Sequence, residues 1–83
     1  MLWIENAEYL DNYKIRVTFN DKTEGVLDMK PILENDRRKI FLELLDEDKF
    51  KHFEIAMDTI VWENGLDLAP EFIKEKVKIL VEG

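Results

Sequence analysis

Asp67 stands between Leu66 and Leu68, three residues before Pro70, and is the acid whose placement most invites a chemical role. A carboxylate at the entrance to a helix can accept backbone N–H bonds as a brace. It can also act as a base or cation ligand, but only if companions converge on it. Asp58 and Glu63 lie nearby in sequence, and His52 is the single histidine. His52 sits beside Phe50 and Phe53, where a helix-end cation or a partly buried ring is the plainer reading. A nucleophile–His–acid triad has little to build on. The chain has neither cysteine nor serine, and Thr18, Thr23 and Thr59 are its only hydroxyl candidates besides tyrosine. Asp46-Glu47-Asp48 has the charge of a calcium loop but not its pattern. The sixth position would need glycine and is Lys51, and the twelfth would need glutamate and is Met57. The few, scattered glycines form no phosphate-binding loop.

The segment around Asp67 is the least generic part of the chain. Trp62 ends an apolar strand-like run and reads as a core anchor, with an exposed contact residue as the alternative. Asn64-Gly65 is a turn signal, because Asn tolerates positive φ and Gly adopts it freely. Pro70 fits the first turn of a helix, where its missing N–H loses nothing. Trp62, Asn64, Gly65, Asp67 and Pro70 are therefore the candidate binding residues. Each also has a sufficient structural role: anchor, turn, brace and helix start. Trp3 is a further candidate for an interface.

The elements that hold this loop follow from periodicity. Tyr13, Ile15, Val17 and Phe19 alternate with polar residues, the pattern of a half-buried strand. A preceding strand within 2–10, turned at Asp11-Asn12, makes a hairpin with it. A turn at Asn20-Asp21-Lys22 leads to a third strand over 24–29, giving an antiparallel meander. Pro31 opens a helical region, and Phe41, Leu44 and Leu45 share a helix face over 37–45. Asp46 is placed to cap the next turn, which carries Phe50. A second hairpin joins 53–57 to 60–62 through Asp58-Thr59, and the later hairpin is expected in the same sheet. A helix starts at Pro70. The spacing of Ile73, Val77 and Leu80 carries it past Lys76, whereas alternation of Val77, Ile79 and Val81 makes an edge strand the alternative for 77–83.

With 83 residues, 46% hydrophobic and 37% charged, the chain reads as a single α+β domain over 1–83. It is expected to be a small antiparallel sheet (two hairpins plus a third N-terminal strand) with two or three helices on one face. The net charge of −7 argues against direct nucleic-acid binding and suits a basic protein partner or plain solubility. Arg37-Arg38-Lys39 is flanked by acids and reads as a solvated helix start. With no cysteine, no disulfide or thiolate zinc site can form. No membrane span or secretory signal is apparent, so a cytoplasmic protein without cofactor is expected.

Trp62-x-Asn64-Gly65-x-Asp67-x-x-Pro70 resembles the motif of DUF2442, a family of small bacterial proteins of unknown function. Tyr13-x-Ile15-x-Val17-x-Phe19-x-Asp21, Gly25-x-x-Asp28 and Phe41-x-x-Leu44-x-Asp46-x-x-x-Phe50 are similar to its upstream pieces, so the match covers roughly 8 to 73. Two departures stand out. Glu63 replaces a usual proline, and Lys22 replaces a frequent glycine, which predicts a different turn there. The resemblance implies an α+β fold and no established activity. It also implies a pattern in which some relatives are encoded beside a second small protein, as toxin–antitoxin pairs are. Three functions follow as expectations: a non-enzymatic protein-binding module, antitoxin-like in a two-protein pair; a small carboxylate-dependent enzyme using Asp67; or a homodimeric structural protein.

Overall fold

The alternating strand of the sequence is the centre of the fold. In the computed structural model, which describes residues 1–83, β2 (Lys14–Phe19) lies between β1 (Ile4–Tyr9) and β3 (Glu24–Asp28), antiparallel to both. Ile15, Val17 and Phe19 are fully buried on one face, and Arg16 is exposed on the other. Each buried side chain of this size contributes about 1.5–3 kcal/mol relative to exposure. Opposite them on β3, Leu27 pairs with Ile15 and Gly25 with Val17, so the core face continues across the meander.

Hairpin turns take their twist from left-handed residues that are not glycine. Asn12 and Tyr13 have φ of 45° and 64°, Met57 and Asp58 of 52° and 71°. Positive φ at both central positions is the geometry that matches the twist of flanking strands. The second hairpin therefore turns at Met57-Asp58, not Asp58-Thr59. Met57 is almost wholly exposed as a result. Lys22 corrects a second expectation. It adopts φ 72° itself, so the turn that favours glycine is kept without one. Asp21 steadies that turn by accepting the Thr23 N–H at 3.0 Å.

The middle of the chain is helical but broken. Helix α1 (Lys30–Asn35) carries Pro31 in its first turn, α2 (Lys39–Leu42) runs into a 3-10 turn over Glu43–Leu45, and α3 (Glu47–Phe50) follows. Tightening to 3-10 moves Leu45 off the stripe of Phe41 and Leu44, which are buried while Leu45 is not. Asp46 caps α3 as expected, accepting the Asp48 N–H at 3.0 Å.

Strands β4 (Phe53–Ala56) and β5 (Thr59–Trp62) form a two-stranded sheet of their own. The fourth strand of the main sheet is instead β6 (Lys78–Val81), antiparallel to β3, in the order β1-β2-β3-β6. Helix α4 (Pro70–Lys76) thus stops at Lys76, where Val77 turns extended at φ −70°, ψ 148°. The physical reason lies in β3. Its outer edge would otherwise leave a row of backbone donors and acceptors unpaired, and Gly25 lets β6 approach it closely. A Cβ on Gly25 would lie 2.9 Å from both the Lys78 carbonyl oxygen and the Val77 Cβ. Lys74 of α4 reaches Asp21 at 3.2 Å and lies over the Phe19 ring, fastening the helix to the meander. The core is one cluster. The meander supplies Ile15, Val17, Phe19 and Leu27, the helices Leu33, Phe41, Phe50 and Ile73, and the hairpin Ile60 and Trp62. No helix is long and apolar enough to cross a membrane.

Candidate functional site

The loop between β5 and α4 is closed by its own backbone. Gly65 N–H donates to the Trp62 carbonyl at 3.0 Å, and Trp62 N–H donates to the Leu66 carbonyl at 2.9 Å. Gly65 takes φ +92°, the left-handed conformation that glycine favours. The Asn64 side chain works in two directions. Its oxygen accepts the Leu66 N–H at 3.1 Å, and its amide donates to the Ile40 carbonyl at 2.9 Å, fastening the loop to α2. Trp62 is an anchor, 2% exposed, with its indole N–H donating to the Phe50 carbonyl at 2.7 Å and its ring against Phe50 and Phe53.

After the turn the chain runs extended, bridging Asp67 to Val61. Extended backbone sends successive side chains to opposite sides. Leu66 and Leu68 are buried, and Asp67 between them faces out. This overturns the brace expected of Asp67. Ala69 is the N-cap of α4 and no side chain caps the helix, and Asp67 enters none of the side-chain hydrogen bonds or ion pairs. The loop is braced instead by Asn64, and by Thr59, whose buried hydroxyl donates to the Leu68 carbonyl.

Asp67 lines an open-sided groove of about 460 Å³ between α1, α2, the loop and α4. Its walls are mostly apolar: Ile32, Ile40, Phe41, Leu66, Leu68, Ala69 and Phe72. Asp36, Arg38 and Gly65 complete the lining. Arg38 is already engaged, clasping Asp36 at 2.7 and 3.0 Å and lying 4.8 Å over the Phe41 ring. Hydrogen bonds from the Arg38 side chain and backbone hold the Asp36 carboxyl below its ordinary range. Asp67 is therefore the groove's one carboxylate without an ion-pair partner.

The structure does not gather the other acids here. His52 and Glu63 line a different opening, with Phe53 and Glu54. The His52 ring is bonded through Nδ1 to the Asp48 carbonyl at the end of α3. Asp58 is in the tip of the second hairpin. Asp67 thus has none of Asp58, Glu63 and His52 beside it in the groove, and no group of three or more His, Asp or Glu side chains is placed to hold a metal ion. Pro70 is half-buried at the start of α4, and Trp3 is 38% exposed. The groove residues that the sequence leaves unmarked are Ile32, Ile40 and Phe72. Their signal is apolar character beside the buried helix positions Leu33, Phe41 and Ile73.

These features define a small α+β protein in which the loop between β5 and α4 forms one wall of a mostly apolar groove. Over residues 4–78 the chain matches the family model described as protein of unknown function (DUF2442), and it belongs to that family. No curated protein and no solved structure matches it.

Proposed function

We propose that this chain is a non-enzymatic binding module that seats an apolar, lysine- or arginine-bearing segment of a partner protein in the groove beside Asp67. The observation that carries this reading is the pairing of apolar walls with one carboxylate that has no partner of its own. An apolar cleft with few polar groups is the usual form of a recognition site, and a carboxylate at its lining selects for a cation. The net charge of −7 favours approach of a basic partner. In the pattern that the family resemblance implies, that partner is the second member of an antitoxin-like pair. A titration of the isotope-labelled chain with a basic amphipathic peptide tests the reading. Amide shifts are expected to concentrate on Ile40, Leu66, Asp67 and Phe72, and Asp67→Lys is expected to weaken binding about tenfold, the scale of one lost charge contact. Shifts elsewhere, or equal binding of a glutamate-bearing version of the peptide, refute it.

A further inference from the structure

The main sheet has two edges, and the fold treats them differently. The β1 edge is covered: Ile4 N–H donates to the Asp58 carbonyl at 2.9 Å, and β4 and β5 pack against β1. The β6 edge ends the sheet and has no neighbour beyond it. All four β6 residues are exposed, and Ile79, Leu80 and Val81 form an unbroken apolar run, 39%, 49% and 48% exposed. An exposed apolar edge strand is a template for another strand. The register with β3 shifts between Glu24 and Gly25, so Leu80 stands opposite no residue of β3.

The chemistry of this edge is self-complementary. When two identical antiparallel strands pair about an axis normal to the sheet, one residue faces its own copy and the rest follow symmetrically. Centring on Leu80 sets Ile79 opposite Val81 of the second copy and Lys78 opposite Glu82. Each crossing occurs twice, giving two opposite-charge pairs that flank an apolar centre. Moving the centre to Ile79 sets Lys78 against Leu80, and moving it to Val81 sets Glu82 against Leu80, so the Lys78–Glu82 match is lost in both.

We infer that the outer edge of β6 is a homodimer seam, where two copies of this chain pair β6 to β6 about Leu80, with Lys78 of each facing Glu82 of the other. The result is one continuous eight-stranded sheet. The seam shares no residue with the groove beside Asp67, so the two readings stand or fall separately. A seam this short buries less than a standard interface, so a weak, reversible equilibrium is expected, to be sought at concentrations on the order of 10–100 μM.

Sedimentation velocity of the 83-residue chain across that concentration range is the test. The expected result is a monomer–dimer equilibrium. Lys78→Glu places like charges in both pairs and is expected to weaken the dimer about tenfold, and adding Glu82→Lys is expected to restore it. Far-UV circular dichroism confirms that the variants fold. Hydrogen exchange of the wild-type β6 amides, expected to slow as concentration rises, needs no variant. A monomer at every concentration, unchanged β6 exchange, or a double variant no better than the single one overturns the proposal.

Discussion

Replacing Trp62 with phenylalanine separates the anchor role of this residue from a contact role. The substitution keeps an aromatic ring but deletes the indole N–H that reaches the Phe50 carbonyl at 2.7 Å in a site where Phe50 is fully buried. Leaving a buried acceptor without its donor costs about 1–3 kcal/mol. The smaller ring also leaves a void against Phe50 and Phe53, worth a further ~1–2 kcal/mol in lost contacts. The sum is about 3 kcal/mol. For a chain of 83 residues the total stability expected is about 4–12 kcal/mol, so the loss is a large fraction of it. In a domain this small it lowers the midpoint of thermal unfolding by roughly 12–24 °C. Urea titration followed by far-UV circular dichroism measures the change without depending on tryptophan emission. A loss below about 1 kcal/mol with an unchanged urea slope would refute the anchor role, because the structure gives the indole no other way to be indifferent.

Two further perturbations probe the elements around the site. Gly25→Ala drives a Cβ to 2.9 Å from the Lys78 carbonyl, so β6 is expected to detach from β3, seen as loss of exchange protection at 78–81 and destabilisation of about 1–3 kcal/mol. Unchanged protection there would show that the close approach is not what glycine serves. The Asp21 carboxyl is lowered from 3.8 to about 2, chiefly by the Thr23 N–H bond, then by the Thr23 hydroxyl and Lys74. A depressed carboxyl contributes stability that is fully present above its ordinary value and is lost as pH falls through the folded one. Asp21 therefore contributes to an acid limb between about pH 4 and pH 2; Asp21→Asn is expected to shallow it, and a carboxyl resonance titrating near 3.8 would contradict the account.

Much of the architecture is legible from spacing alone. The meander is readable because Ile15, Val17 and Phe19 alternate strictly, and burial follows that alternation. Asp46 is readable as a cap because its side chain acts locally, on the Asp48 N–H. What is not legible is long-range. The helical spacing of Ile73, Val77 and Leu80 competes with a strand pattern over the same residues, and Gly25, some fifty residues upstream, decides between them. Leu45 fits a helical stripe until the chain tightens to 3-10. Asp67 reads as a brace because a helix follows it. The neighbouring bridge to Val61 makes its backbone extended and turns the carboxylate outward. The groove itself is invisible in sequence, because its walls come from 32–41 and 65–72 and only the fold brings them together.

The Asn64 clasp on the Ile40 carbonyl acquires a second meaning from that origin. It ties the two separate stretches of groove wall to each other before anything occupies the space between them. A recognition surface held in its bound shape surrenders little conformational freedom when filled, so more of each contact appears as affinity. Binding and folding then draw on the same clasp. Any occupant of the groove stabilises the whole domain by mass action, and a rise in the unfolding midpoint becomes a way to find that occupant without knowing its identity beforehand.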